Sequence, residues 1–227
     1  MEINKLLTQV NFKPGNGKQN KYLVIHFVGA LGGAKANCEY FKSIHRGASA
    51  HYFVGHEGEI WQCVADHNIA WHCGASRYKH PYCRNTNSIG IEMCCKKKAD
   101  GTWYFEEETI KSTIELVKYL MAKYNIPAAN VIRHYDVTGK NCPEPYVRDT
   151  AAWNTFKASL TATTDATGYK VKITADTLNV RKGAGTGYKI VTQVKKNEVY
   201  TIVQEQNGWG KLKSGAGWIS LKYTKKV

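Results

Sequence analysis

The chain has 227 residues, 43% hydrophobic and 11% aromatic, with 32 Lys+Arg against 18 Asp+Glu for a formal net charge of +14. That is material for one full domain and a small one. A hydrophobic share near the globular average, with only five prolines and no long biased tract, excludes wholesale disorder, and no apolar run approaches the ~18 residues that a membrane-spanning helix needs.

The opening MEINKLLTQVNFKPGNG has no apolar core of signal-peptide length and soon meets Asn11 and Pro14. Synthesis in a reducing cytoplasm without Sec export is therefore expected. YLVIHFV (22–28), AHYFVG (50–55), EIWQCV (59–64) and SIGIEMC (88–94) are β-branched and aromatic runs bounded by turn formers, as strands require. ANCEYFKSIHRG (36–47) and TIKSTIELVKYLMAKYN (109–125) carry apolar residues at helical spacing. In the second of these, Ile110, Ile114, Val117, Leu120 and Met121 form one face and Pro127 lies just beyond the end. RDTAAWNTFKASL (148–160) offers an Asp/Thr N-cap and a third helix. Strands interleaved with helices predict an α/β domain over 1–157, with a central mixed β-sheet flanked by helices. ASLTATTDATG (158–168) is small and polar with no apolar period and reads as a linker. Beyond it, YKVKIT, TLNVRK, KIVTQV, VYTIVQEQ, WGKLK and GWISL are short strand-like runs broken at GAGTG (183–187), KKN (195–197), NG (207–208) and SGAG (214–217). They predict a small all-β barrel over 169–227.

Charge is unevenly placed: residues 169–227 hold 12 Lys+Arg against 3 Asp+Glu, whereas the rest hold 20 against 15. Such a basic block seeks a polyanion, whether nucleic acid, an acidic membrane or an anionic wall polymer. All seven cysteines, Cys38, Cys63, Cys73, Cys83, Cys94, Cys95 and Cys142, precede the linker, as do all eight histidines. An odd count argues against a closed disulfide framework and for at least one thiol with other work.

His26 lies inside a β-rich apolar run, where burial is costly unless both ring nitrogens find partners. His134 and Cys142, in VIRHYDVTGKNCPEPY, have seven residues between them, enough for a loop to fold back on one ion. Two imidazoles and a thiolate would leave a fourth zinc position open, the catalytic pattern. On spacing alone, His67, His72 and Cys73 in DHNIAWHCG are equally arguable as ligands.

The ordered motifs YLVIHFVGA, SAHYFVGHEGEIWQCV, AWHCG, NTNSIGIEMC and RHYDVTGKNCP resemble the zinc-dependent N-acetylmuramoyl-L-alanine amidases of the type-2, peptidoglycan-recognition-like family over roughly residues 20–157. The resemblance implies that His26, His134 and Cys142 bind one zinc ion per chain. It places the family's lysine, two residues before the cysteine, on Lys140 and its catalytic glutamate on Glu92. A subset of the family has a tyrosine where this chain has Ala50, ahead of His51, and that departure favours Glu92 as acid/base. Amide hydrolysis needs an activated nucleophile, charge stabilisation at the carbonyl oxygen and a proton for the leaving nitrogen. Zinc, Glu92 and Lys140 match those needs. Glu92 would share its strand face with Gly90 and Cys94, small enough to line a cleft. Trp61, Trp71, Tyr78, Tyr82 and Trp103 are given no substrate role.

Residues 169–224, with LNVRKGAGTGY, NGWGK and GWISLKY, resemble a bacterial SH3-like domain. That resemblance implies binding of peptidoglycan peptides or wall polymers, with Tyr188, Trp209 and Trp218 as candidate exposed aromatics. The two resemblances imply a hydrolase that cuts the amide between the lactyl group of N-acetylmuramic acid and L-alanine in Gram-positive peptidoglycan, with no nucleic-acid partner and no membrane insertion. The arrangement looks like a phage or prophage endolysin, made in the host cytoplasm and released to the wall by a holin. A prophage-derived autolysin is the alternative. A non-catalytic peptidoglycan-recognition protein would lack the zinc cysteine, and Cys142 is present. No helix-turn-helix, zinc-finger spacing or aromatic-rich RNA motif supports a nucleic-acid binder.

Overall fold

The computed structural model describes residues 1–15, 20–161 and 168–227, and the chain divides into two compact units, Met1–Thr161 and Ala162–Val227. The first contains β1 (Ile3–Lys5), β2 (Tyr22–Phe27), α1 (Ala34–Lys42), β3 (Tyr52–Val54), β4 (Ile60–Gln62), β5 (Ser88–Met93), β6 (Lys96–Lys97), β7 (Trp103–Tyr104), α2 (Glu107–Tyr124), β8 (Val131–Arg133), α3 (His134–Thr138), α4 (Glu144–Arg148) and α5 (Thr150–Thr161). Its main sheet has the order β1-β4-β3-β5-β2-β8. β2 is parallel to both β5 and β8, β3 is parallel to β5, and only the β3–β4 pair is antiparallel. The sheet is thus mixed and flanked by helices, as expected.

Alternation along β5 sends Ile89, Ile91 and Met93 to one face and Gly90, Glu92 and Cys94 to the other. The first face meets Leu116, Val117 and Leu120 of α2 and Trp153, Phe156 and Leu160 of α5 in the main core, each buried side chain contributing about 1.5–3 kcal/mol. On the second face α1 supplies Ala34 and Cys38, which pack with Phe53 and Cys94. The chemistry lies on that second face, beyond the carboxyl ends of β2, β5 and β8.

Two expected boundaries and the buried face of one helix differ in the structure. Helix α1 stops at Lys42, short of the expected 47. Asn11, fully buried, donates through Nδ2 to the carbonyls of Phe41 and Ile44, and Thr8 Oγ1 donates to Phe41 O, so the N-terminal segment captures the carbonyls a longer helix would use. In α2 the fully buried face includes Thr109 and Thr113, whereas Ile110, Ile114 and Met121 are half-buried. The threonines tolerate burial because Thr109 Oγ1 donates to Gly55 O at 2.8 Å and Thr113 Oγ1 to Thr109 O at 2.7 Å. Asp149 Oδ1 caps α5 by accepting the Ala152 N–H, and the helix runs through Thr161 with Leu160 in the core. Residues 158–161 of the expected linker are therefore helical, and 162–167 lie outside the described residues.

The second unit is all-β: β9 (Tyr169–Ile173), β10 (Thr177–Arg181), β11 (Ile190–Lys195), β12 (Val199–Gln206), β13 (Trp209–Leu212), β14 (Trp218–Ser220) and β15 (Thr224–Lys226). They form one sheet in the order β11-β10-β14-β13-β12-β9-β15. Val171, Ile173, Leu178, Val180, Val194, Ile202, Leu212 and Ile219 share its small core. Asn207 and Gly208 take left-handed φ values of 50° and 78°, the backbone of a two-residue hairpin turn between β12 and β13. Of the aromatics expected outside, Tyr188 is exposed and Trp209 half-buried, but Trp218 is buried beside the core. Among the described residues, no helix is long and apolar enough to cross a membrane.

Candidate active site

Sheet register assembles the site. β2 and β5 pair His26 with Glu92, and β2 and β8 pair Ile25 with Arg133, so His26, Glu92 and His134 stand side by side where three parallel strands end. The β8-to-α3 turn is pinned by Asp136, whose carboxylate accepts the Arg133 N–H at 2.9 Å and the Arg133 guanidinium at 2.8 and 3.0 Å. Gly139 ends α3 in the left-handed conformation, φ 86°, and its N–H donates to Tyr135 O. Only a residue without Cβ takes that turn at no cost. The chain then folds back, the Tyr135 N–H donates to Cys142 O at 2.8 Å, and Cys142 Sγ arrives 3.7 Å from His26 Nδ1.

Among the described residues, His26, His134 and Cys142 form the one group able to hold a metal ion, with donor atoms within 4.8 Å of one another. All three residues are buried, and the rings of His26 and His134 meet edge to face at 4.7 Å. His134 Nδ1 is buried with no hydrogen-bond partner, which is costly unless something else binds it. Two imidazole nitrogens and a thiol are the donors zinc prefers, so the residues fit the ion. Glu92 Oε1 lies 3.9 Å from His26 Nδ1, and Glu92 Oε2 is buried without a partner. A cleft of about 830 Å³ opens beside these groups, its wall including Trp71, His72, Arg77, His134 and Lys140. Lys140 is exposed, with its charge felt by Glu92, His26 and His134.

Burial sets the protonation states. It lowers His26 well below the usual histidine range, with His72 and His134 adding to the effect, and brings His134 down to about 4, helped by Lys140. Both imidazoles are therefore neutral at pH 7. Burial pushes the Glu92 carboxyl up to about 8, against the pull of Lys140, and the Cys142 thiol up to about 12, with Glu92 adding to the rise.

Of the alternative ligands, His67 is exposed and Cys73 packs with Cys83 and Ser88. His72 does reach the centre, but as a neighbour of His26: its Nδ1 is 3.0 Å from His26 Nε2. Its position in WHCG was the one available signal. His51 is a satisfied structural histidine, its Nδ1 accepting the Gly90 N–H and its Nε2 bonding Asn68 O, and Ala50 is buried in the α1 cluster. The space above Gly90 is filled by the His72 ring, so the small residues of β5 seat a side chain where an open cleft was expected. All seven cysteines are free and buried.

The family described as N-acetylmuramoyl-L-alanine amidase matches residues 16–145, and that described as bacterial SH3 domain matches residues 176–225. A probable N-acetylmuramoyl-L-alanine amidase of Bacillus licheniformis is 39% identical over 148 residues, covering 60% of this chain and 40% of that protein. The N-acetylmuramoyl-L-alanine amidase CwlL of the same organism is 32% identical over 180 residues, 73% of this chain and 47% of that one. The chain thus spans less than half the length of these curated relatives. A solved mutant endolysin from Bacillus subtilis aligns with a TM-score of 0.57 and 30% identity over 70% of this chain and 99% of its own.

Proposed function

The chain belongs to the N-acetylmuramoyl-L-alanine amidase family, and from that premise we propose that it is a zinc-dependent, endolysin-type peptidoglycan hydrolase acting on Gram-positive walls. The bond cut is the amide between the lactyl group of N-acetylmuramic acid and L-alanine. The observation that carries this reading is the buried His26, His134 and Cys142 set with a carboxylate 3.9 Å from one of its donors.

His26 and His134, through Nδ1, and Cys142, through Sγ, would hold the ion. When bound, zinc supplies a Lewis acid that polarises the scissile carbonyl and acidifies water. Glu92 accepts the attacking water's proton and delivers it to the departing amine nitrogen, a role worth on the order of 10²–10⁴ in rate. Its high carboxyl pKa, about 8, suits the delivery half of that cycle. Lys140, on the cleft wall, presents a fixed positive charge to the oxyanion that develops on the former carbonyl oxygen. The second unit, matched by the bacterial SH3 family, holds the enzyme on the wall. With 12 basic against 3 acidic residues, its segment 169–227 favours anionic wall polymers as a further partner.

Mass spectrometry of digested Gram-positive peptidoglycan tests the reaction. Products with a free L-alanine amino terminus and unsubstituted muramic acid are expected. New reducing ends or cut cross-links without them would show a different hydrolase.

A further inference from the structure

A hydrogen-bond chain leads inward from the metal centre and has a single direction. Ser88 Oγ donates its one proton to Arg84 O at 2.7 Å, so toward His72 Nε2, 3.1 Å away, Ser88 can only accept. His72 must then carry its proton on Nε2, which leaves Nδ1 as an acceptor. That acceptor faces His26 Nε2 at 3.0 Å, so His26 holds its proton on Nε2 and keeps a lone pair on Nδ1. His26 Nδ1 is the atom 3.7 Å from Cys142 Sγ. The His72 ring is fixed in turn. An added Cβ at Gly90 would stand 2.4 Å from His72 Cγ, and Asn85 Oδ1 accepts the backbone N–H groups of residues 72 and 73 at 3.2 and 2.8 Å.

We infer that His72, oriented by Ser88, is a positioning residue that locks His26 in the Nε2–H tautomer and so presents Nδ1 as a metal ligand before any ion arrives. With the chain reversed, Ser88 donating to His72 and His72 donating to His26, the proton of His26 would sit on Nδ1, the ligating atom. Outer partners of this kind set ligand orientation and basicity. This role presupposes a metal held by His26, His134 and Cys142.

Two measurements on the full-length chain test it. Long-range ¹H–¹⁵N correlation spectra of the zinc-free wild-type protein at pH 8 should show His26 protonated on Nε2 and bare on Nδ1. An Nδ1–H form, or an averaged mixture, overturns the inference without any variant having to fold. The second measurement is zinc affinity against a competing chelator. His72→Gln keeps a polar atom toward Ser88 but removes the acceptor facing His26, and should weaken zinc binding roughly 10–100-fold. His72→Asn sets Oδ1 where Nδ1 stands and should recover most of that loss. Equal affinities in the two variants would indicate that the ring only fills space and would overturn the role. A wild-type protein that takes up no zinc sinks the metal centre itself, whereas zinc uptake indifferent to His72→Gln sinks only the positioning.

Discussion

The two oxygens of Glu92 sit in different surroundings, Oε1 turned toward His26 Nδ1 and Oε2 buried with no partner. A carboxyl with no hydrogen bond on Oε2 and only a 3.9 Å contact on Oε1 does little structural work, which suits the proposed proton-transfer role. Glu92→Gln should therefore leave folding and zinc content unchanged while lowering turnover by about 10²–10⁴. Metal analysis and a wall-lysis assay on the same sample check this, and an active variant would move the acid/base elsewhere. Cys142 gives a prediction with a sign. Its thiol, raised to about 12 by burial and by Glu92, must become a thiolate to bind zinc, whereas the two imidazoles are already neutral at pH 8. Zinc uptake should thus expel a proton, and apparent affinity should climb as pH rises from 6 to 8. Calorimetry in buffers of different ionisation enthalpy measures that proton. Cys142→Ser should abolish zinc retention.

Among the elements, β3, β4 and α2 are tied together at a buried carboxylate. Asp66 accepts hydrogen bonds from Tyr52, Gln62 and Tyr124 and pairs with Lys123 Nζ at 2.9 Å. Burial by itself would raise its pKa, but the bonds from Lys123, Tyr52 and Tyr124 outweigh burial and hold the group below the usual value of 3.8. A depressed folded-state pKa means that the stabilisation is complete above the unfolded pKa and disappears as pH falls through the folded one. Asp66→Asn should accordingly cost about 1–3 kcal/mol at pH 7, and the gap to wild type should narrow once pH falls below the unfolded carboxylate value of about 3.9. Thermal unfolding at the two pH values checks both the size and the direction. The same network shows what periodicity could not convey. Tyr52, Gln62 and Asp66 fall in and just after two short strands, and nothing in their spacing points to a lysine and a tyrosine at the far end of α2. The buried threonines of α2 are a related case. A 3.6-residue period selects apolar side chains, but Thr109 finds its acceptor, Gly55 O, only in the folded packing, while Thr113 bonds one turn back to Thr109 O within the helix.

Across the whole molecule, the chain divides into two compact units, to which the proposed function assigns separate tasks. Each has its own core, the first built on α2, α5 and the mixed sheet and the second on alternate residues of the β9–β15 sheet. Deleting residues 169–227 should therefore weaken sedimentation with purified walls but leave cleavage of soluble muropeptide. Equal loss of both would refute the division of labour. With 12 basic residues against 3 acidic in that segment, wall binding by the full chain should fall as salt rises past about 0.15 M, where the Debye length is near 8 Å, while the rate on a small soluble substrate changes little.

Much of this was legible in the linear chain because the signals are local. Near-continuous apolar runs mark central strands such as β2 and β5, Asn207-Gly208 marks a hairpin, and ordered motifs point to His26, Glu92, His134, Lys140 and Cys142. Short elements such as β1, β8 and α3 left no periodic trace, since three to five residues complete no pattern and partner strands hold them in place. What only the tertiary structure decided is which of several histidines stand together. Parallel register sets His26 beside Glu92, the left-handed turn at Gly139 swings Cys142 back, and the absence of a side chain at Gly90 admits the ring of His72. The +14 charge was readable from composition alone, because it is a sum over residues. The meeting of His26, His72, His134 and Cys142 was not, because it brings together side chains up to 116 positions apart, and such contacts exist only once the chain has folded.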